Sequence, residues 1–157
     1  MKQLRFKLNG KKEEVMVEEG LRLVDLLRNR FGLCGAKISC EQGECGACTV
    51  LLDNQAVHSC LILAVQTEGC EVITVEGLEK DGKLDPVQEA FMECGAIQCG
   101  FCTPGMIMSA KGLLLNNPKP TDKEIKEALE GNLCRCTGYT KILQAVRLAA
   151  ERSGSQC

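Results

Sequence analysis

The stretch Cys40-Glu41-Gln42-Gly43-Glu44-Cys45-Gly46-Ala47-Cys48 places three thiols at C-x4-C-x2-C spacing, and a fourth thiol, Cys60, follows in the next segment. Because the connecting loop is short, little chain entropy is lost when these thiols converge on one inorganic core. Gly43 and Gly46 have no Cβ and can take positive φ, so the backbone can fold tightly and turn its N–H groups toward sulfur. The stretch therefore predicts a centre at which several thiolates bind metal.

This spacing is typical of a plant-type [2Fe-2S] cluster, in which three close thiolates are completed by a fourth from farther along the chain. Backbone N–H groups that point at the sulfur atoms tune the reduction potential of such a cluster. The chemistry that the stretch predicts is therefore one-electron transfer.

Two other uses of close thiols fit the sequence less well. Disulfides are disfavoured because residues 1–7 contain no apolar core of a secretory signal peptide, and thiols stay reduced in the cytosol. Structural zinc is disfavoured because it ordinarily takes two C-x2-C pairs of similar shape, whereas here three thiols lie within nine residues and the fourth is distant. An iron–sulfur site is the leading interpretation.

The composition is that of an ordinary globular protein, with 45% hydrophobic and 25% charged residues in a chain of 157. Aromatic residues make up only 3% and Trp is absent, so the core must be mainly aliphatic. The twelve Cys indicate that metal ligation adds to the free energy of folding. We therefore expect the chain without metal to be poorly folded.

Charge and hydropathy argue against two classes of partner. A formal net charge of −2, without a basic run, offers nothing to attract a phosphate backbone, so nucleic acid is not an expected partner. No apolar stretch approaches the roughly 20 residues that span a bilayer, so no membrane association is expected either. The sequence predicts a soluble, cytoplasmic protein.

Residues 1–77 have the pattern of a small α+β domain. Asn9-Gly10 and Asp53-Asn54 are two-residue turn signals between runs of alternating character. Apolar residues at helical spacing after Gly20 predict one helix that lies on the sheet. This arrangement is similar to the plant-type ferredoxin, or β-grasp, fold. The predicted strands cover residues 3–8, 14–17, 49–52, 55–57 and 71–75.

Residues 78–157 are predicted to form a second, all-α domain of four helices with a C-terminal tail. After the polar connector Lys80-Asp81-Gly82-Lys83, the apolar period changes from two to about 3.6 residues. An apolar stripe over residues 142–150 predicts the last helix, and residues 153–157 are expected to fray. The other three helix starts are marked by the capping residues Asp85, Thr103 and Thr121.

The helical half carries a second set of thiols. One predicted loop between helices holds Cys99 and Cys102. Another holds Cys134 and Cys136, so the two pairs could meet as a second four-thiolate site. Spacing alone leaves an alternative open, because Cys94 also forms a C-x4-C-x2-C pattern with the first pair. The two symmetric pairs are preferred, since Cys94 falls near the end of a predicted helix.

Two longer motifs contain these later thiols, Gln98-Cys99-Gly100-Phe101-Cys102-Thr103-Pro104-Gly105 and Gly131-Asn132-Leu133-Cys134-Arg135-Cys136-Thr137-Gly138-Tyr139. Behind a ferredoxin-type site, they resemble the small iron–sulfur subunit of the xanthine dehydrogenase family of molybdenum hydroxylases. The resemblance covers nearly the whole chain, and two motifs of this length in this order are highly specific. The first loop departs from the family at Ser39 and Glu41, positions that are often Gly in relatives.

The resemblance implies two [2Fe-2S] clusters, one in each domain, and a hetero-oligomer. The molybdenum–pterin cofactor belongs to one partner subunit, and a flavin subunit carries FAD. Gln98 is implied to hydrogen-bond the pterin, and the second cluster is implied to lie beside the pterin through Cys136. Cys94 falls outside the implied ligand set. The implied ligands are Cys40, Cys45, Cys48 and Cys60 in the first domain and Cys99, Cys102, Cys134 and Cys136 in the second.

The same resemblance implies an electron-transfer subunit of a molybdenum oxidoreductase, with no substrate chemistry on this chain. Electrons leave the molybdenum centre through the helical-domain cluster and then the N-terminal cluster, toward a flavin or another acceptor. A free ferredoxin-like carrier is an alternative that the first seventy-odd residues support and the helical half does not. A zinc-stabilised interaction module is a third, which the thiol spacing disfavours.

The remaining Cys and the single His are predicted to have no ligand role. Cys34, Cys70 and Cys94 are expected to be small, inert apolar side chains. Cys157 lies in the predicted tail without an assigned role. His58 is expected to be structural, because a Rieske-type site would need two His on one iron.

Overall fold

The structure is a computed structural model that describes residues 1–153. Its strands are β1 (Lys2–Leu8), β2 (Lys11–Val17), β3 (Thr49–Leu52), β4 (Gln55–His58) and β5 (Glu71–Ile73). They form one mixed sheet in the order β2-β1-β5-β3-β4. The β1–β5 pair is parallel, and the other neighbouring pairs are antiparallel.

Two of the antiparallel pairs are closed by the turns that the sequence predicts. Asn9 and Gly10 have φ of 48° and 84°, and Asp53 and Asn54 have φ of 47° and 66°. A type I′ turn needs positive φ at both central residues, and its twist matches that of the flanking strands. Both predicted hairpins are therefore confirmed.

β5 is shorter than predicted. It ends at Ile73, whereas the predicted strand extends to residue 75. The side chain of Asn9 accepts a hydrogen bond from Thr74 N–H at 2.9 Å, and its Nδ2 donates to Thr74 Oγ1 at 3.0 Å. The side chain of Asn9 thus satisfies the backbone N–H of Thr74, which would otherwise need a partner on a neighbouring strand. The chain then leaves the sheet in a 3-10 turn, Val75–Gly77.

The first core lies between the sheet and helix α1 (Leu23–Asn29), the helix predicted after Gly20. The buried side chains of α1 are all aliphatic, and each contributes about 1.5–3 kcal/mol when it is fully removed from water. At the edge of this core the rings of Phe6 and Phe31 meet edge to face, with centroids 5.9 Å apart. Burial of this face fixes α1 and therefore the start of the loop that follows it.

The second half contains the four predicted helices. They are α2 (Pro86–Glu93), α3 (Thr103–Asn116), α4 (Asp122–Leu129) and α5 (Thr140–Ser153). Asp85 and Thr121 each form a capping box at the start of a helix, as predicted. None of the helices in residues 1–153 is long and apolar enough to cross a membrane. Beyond Ser153, the predicted tail lies outside the described residues.

The start of α3 differs from the prediction. Thr103 is already inside the helix, Cys102 is the N-cap residue, and no side chain caps the first turn. Cys102 itself has helical φ and ψ of −78° and −16°, so the tight loop before it runs directly into the helix. The start of α3 is therefore fixed by the thiol loop rather than by a hydroxyl cap.

β3 is buried on both faces and joins the two halves. Val50 belongs to the core under α1, whereas its neighbour Leu51 belongs to the core of the helical half, as the alternation of a strand requires. α3 packs on this second face so closely that a Cβ on Gly112 would lie 3.2 Å from side-chain atoms of Leu51 and Ala56. The sheet thus positions α3 and the thiol loop that precedes it.

Candidate metal centres

The first candidate centre is formed by the loop between α1 and β3 together with Cys60, which lies just after β4. The thiol of Cys40 interacts with that of Cys45, and the thiol of Cys48 interacts with those of Cys60 and Cys45. Cys48 and Cys60 are buried, whereas the other two are half-buried. The structure therefore brings all four predicted thiols of the first set together.

Backbone donors surround the outermost of these thiols. The N–H groups of Gln42 and Cys45 each donate to Cys40 Sγ at 3.4 Å, and they lower the pKa of this thiol to about 6. Burial instead raises the pKa of Cys48 to about 11. The thiolate is the form that binds metal. The loop therefore stabilises negative charge on sulfur at its exposed edge, as the glycine pattern predicts.

Gly46 is the point at which this loop touches the helical half. Its φ is +69°, and a Cβ there would overlap the carbonyl oxygen of Gly131 and the side chain of Asn132. From the other side, a Cβ on Gly105 would overlap the carbonyl oxygen of Gly46. The two backbones can approach this closely only because Gly46 and Gly105 both lack a side chain.

The second candidate centre lies between the ends of four helices. Cys99 and Cys102 precede α3, and Cys134 and Cys136 lie between α4 and α5. The thiol of Cys102 interacts with that of Cys134, and the thiol of Cys136 interacts with that of Cys99. All four line one cavity of about 250 Å³. The two symmetric pairs predicted from the sequence therefore meet.

Hydrogen bonds around Cys134 order the inner side of this centre. Its Sγ lies 3.0 Å from Thr137 Oγ1 and accepts from Thr137 N–H at 3.4 Å, while its own N–H donates to the Tyr139 hydroxyl at 2.9 Å. Burial raises the pKa of Cys134, but hydrogen bonds from Thr137, the Cys136 backbone and the Cys102 thiol together outweigh it, and the pKa is lowered. Burial raises the pKa of Cys102 to about 12.

The arrangement of the thiols fits a two-iron core. In both centres thiols interact side chain to side chain in pairs, and each iron of a [2Fe-2S] cluster takes two protein ligands. The donor set and its pairing are therefore those expected for two [2Fe-2S] clusters.

The other Cys of the described chain stand apart from these pairs. Cys94 is the C-cap of α2, where its N–H bonds to the carbonyl oxygen of Ala90, and it is not among the thiols that act on Cys102. Cys34 is exposed, and Cys70 is half-buried with its pKa raised by burial. Cys157 lies outside the described residues.

Exposed apolar side chains surround the outer edge of the second centre. They belong to Ile97, Phe101 and Leu133, which are 40%, 46% and 57% exposed. Two of the thiols, Cys99 and Cys136, are exposed within this patch, and Gln98 is exposed directly before the first of them. The second centre is therefore open toward the surface on the side where Gln98 lies.

The inner edge of the second centre faces the first. Ser39, Cys45 and Ala47 line the same 250 Å³ cavity as the four thiols of the second set. The N–H of Leu133 donates to the carbonyl oxygen of Cys45 at 2.9 Å. Since Leu133 precedes Cys134, this hydrogen bond joins the thiol-bearing backbones of the two centres.

The sequence does not single out Asn132, yet this residue holds the two loops together. It is 3% exposed, accepts from Ser109 Oγ at 2.6 Å, and donates its Nδ2 to the carbonyl oxygen of Gly46 at 3.1 Å. The half-buried ring of His58 lies 3.5 Å from where a Cβ on Gly131 would be. The only sequence signal for Asn132 is its place within the second thiol motif, two residues before Cys134.

Comparison with known proteins gives matches over both halves of the chain. Two family models match in succession, a 2Fe-2S iron-sulfur cluster binding domain over residues 6–72 and a [2Fe-2S] binding domain over residues 74–147. The chain is 52% identical to the nicotinate dehydrogenase small FeS subunit of Eubacterium barkeri, over 95% of each chain. These matches confirm the predicted order of a ferredoxin-type domain followed by a helical one.

Two further likenesses cover most of the chain. The xanthine dehydrogenase iron-sulfur-binding subunit of Escherichia coli O157:H7 is 49% identical, over 88% of this chain and 88% of the relative. The crystal structure of quinoline 2-oxidoreductase from Pseudomonas putida 86 contains a similar chain, with a TM-score of 0.93 and 46% identity. That match covers 99% of this chain and 97% of the other.

Proposed function

Because the chain belongs, as a small iron–sulfur subunit, to the xanthine dehydrogenase family of molybdenum hydroxylases, we propose that its eight paired thiols are the ligands of two [2Fe-2S] clusters. Such clusters supply one-electron transfer when they are bound. The substrate reaction takes place on the partner subunit that holds the molybdenum–pterin cofactor. This chain passes the electrons onward to a flavin subunit with FAD or to another acceptor.

The proposed ligands follow the contacts between thiols. Each pair that interacts most directly would share one iron. In the first centre these pairs are Cys40 with Cys45 and Cys48 with Cys60; in the second they are Cys102 with Cys134 and Cys99 with Cys136.

The observation that carries this function is the junction between the centres. Cys45 of the first set and all four thiols of the second set border one cavity, and the Leu133 N–H to Cys45 carbonyl bond of 2.9 Å connects the two loops. The exposed side of the second set, with Cys99 and Cys136, faces outward. Electrons would therefore enter at this exposed side and leave through the first set, in the order expected of the family.

The same geometry supports a docking site for the molybdenum subunit. The interface would centre on residues 99–105 and 134–139, because exposed apolar side chains flank exposed thiols there. Burial of such a patch by a partner is favourable and shields the cluster from water. Gln98, exposed at this site, would contact the pterin. The two domains would be residues 1–77 and 78–157, in a cytoplasmic complex where thiols stay reduced.

The first test is the metal content of the purified chain. We expect a brown protein with about four iron atoms and about four acid-labile sulfides, because eight thiolates hold two [2Fe-2S] cores. Metal and sulfide analysis with visible absorption measures this directly. A colourless chain that contains zinc and no labile sulfide would contradict the proposed function.

The second test concerns Gln98. We expect Gln98→Ala to leave both clusters intact but to slow their reduction by the molybdenum partner, since it removes a pterin contact and no ligand. Stopped-flow reduction of the reconstituted complex with its own substrate, followed at the cluster absorbance, measures the rate. Gln3→Ala, on the outer hairpin of the sheet, is the matched control.

If the Gln98→Ala complex is reduced at the wild-type rate, Gln98 has no role in the electron path. If the chain does not associate with any molybdenum-containing subunit, the free-carrier function replaces the proposed one.

A further inference from the structure

Glu41, next to the outermost thiol of the first centre, adopts a backbone conformation that favours glycine. Its φ is +57°, in the left-handed region that a residue with a Cβ enters only at a cost. Glu41 lies between Cys40 and Gln42, whose N–H donates to Cys40 Sγ. The path of the loop around this thiol therefore depends on what holds Glu41 in place.

Arg22 holds the side chain of Glu41. Its Nη1 bonds to the Glu41 carboxylate, while its Nε and Nη2 bond to the two oxygens of Asp25 at 2.7 and 3.2 Å. The guanidinium is a rigid planar fork, so the bidentate bond to Asp25 orients the remaining N–H group toward Glu41. The two carboxylates raise the pKa of Arg22, which stays charged. Arg22 is therefore a clamp between α1 and the loop.

The backbone of Arg22 is fixed as well. It forms a β-bridge with Leu63, in the segment that follows Cys60. On either side of this bridge, Leu23 N–H donates to the carbonyl oxygen of Ile62 at 2.7 Å, and Ala64 N–H donates to the carbonyl oxygen of Leu21 at 2.7 Å. Arg22 thus ties the Cys40 side of the first centre to the Cys60 side.

We propose that Arg22 is a positioning residue for the first centre, which keeps Glu41 in the left-handed conformation so that backbone N–H groups stay directed at Cys40 Sγ. The proposal rests on the proposed function, because it assumes that the first thiol set holds a cluster. Hydrogen bonds to sulfur stabilise the added charge of a reduced cluster. Without the clamp, the first centre should bind its iron less tightly and have a lower reduction potential.

The test uses four variants of the full chain: Arg22→Lys, Arg22→Gln, Glu41→Gly and Arg22→Gln with Glu41→Gly. Arg22→Lys keeps the positive charge but loses the fork, which separates geometry from charge. The rate of iron loss from the first centre to a chelator is measured together with its midpoint potential and its electron paramagnetic resonance line shape. Arg30→Gln, an exposed residue at the end of the same helix, is the control.

We expect both single Arg22 variants to lose iron from the first centre roughly threefold to tenfold faster, with an altered line shape and a lower potential. Glu41→Gly should lose iron at nearly the wild-type rate, because Gly takes positive φ unaided. When Glu41 is already replaced by Gly, Arg22→Gln should not increase the rate of iron loss any further. This dependence of one substitution on the other is the signature of a clamp.

Two results would overturn the proposal. One is wild-type iron loss and an unchanged line shape in both single Arg22 variants. The other is an equal effect of Arg22→Gln with and without Glu41→Gly, which would show that Arg22 acts only through α1. Failure of the proposed function is distinct from both, since the wild-type chain would then show no first-cluster signal at all.

Discussion

Replacing Cys99 by Ser should remove one of the two cluster signals from the electron paramagnetic resonance spectrum of the reduced chain. Iron content should fall from about four to about two atoms per chain, because a [2Fe-2S] core that lacks one thiolate is not retained. The signal that remains should be that of the first centre, whose four thiols are unchanged. Iron and labile-sulfide analysis of the same samples measures the loss independently.

Cys94→Ser is the matched control for this experiment. Cys94 forms the same C-x4-C-x2-C spacing with Cys99 and Cys102 as the three thiols of the first loop. In the structure, however, it caps α2 and lies outside the thiol pairs. We therefore expect Cys94→Ser to keep both signals. Loss of the second signal in this variant would show that the ligand assignment is wrong.

Gly105→Ala should destabilise the junction between the two centres. A Cβ at this buried position would overlap the carbonyl oxygen of Gly46, and a backbone atom cannot move aside as a side chain does. Forced overpacking of this kind costs about 2–3 kcal/mol, and the melting temperature of the loaded chain should fall by roughly 5–10 °C. Thermal unfolding followed by circular dichroism and by cluster absorbance measures both effects.

Gly20→Ala is the control for this substitution. Nothing lies within 4 Å of a Cβ built at Gly20, and its φ is outside the left-handed region. Its melting temperature should stay near that of the wild type. A Gly105→Ala chain as stable as this control would mean that the start of α3 and the loop at Gly46 can separate without cost, contrary to the contact described here.

The features that depend on local chemistry are predictable from the sequence. Asn9-Gly10 defines a hairpin because both residues tolerate positive φ, and Asp85 defines a helix start because its carboxylate accepts from the first turn. The spacing of the thiols in the first loop requires only a short flexible connection. In each case the residues that determine the structure are neighbours in the chain.

The features that depend on distant contacts are not predictable in this way. Asn132 reaches Gly46 across 86 positions, and Arg22 reaches Glu41 across 19. No periodicity or motif links such residues, because their partners are fixed only when the elements pack. Thr103 is an example of a local signal that the fold overrides. Its capping motif is present in the sequence, but the preceding thiol loop determines where α3 begins.

The burial of β3 on both faces has a consequence for how such chains can be recombined. The ferredoxin-type half and the helical half have separate thiol sets, which suggests two exchangeable modules. Yet Leu51 of one half completes the core of the other, and a Cβ on Gly112 would lie only 3.2 Å from side-chain atoms of Leu51 and Ala56. A chimaera of two relatives would therefore have to inherit this face of the strand and its facing helix from the same parent.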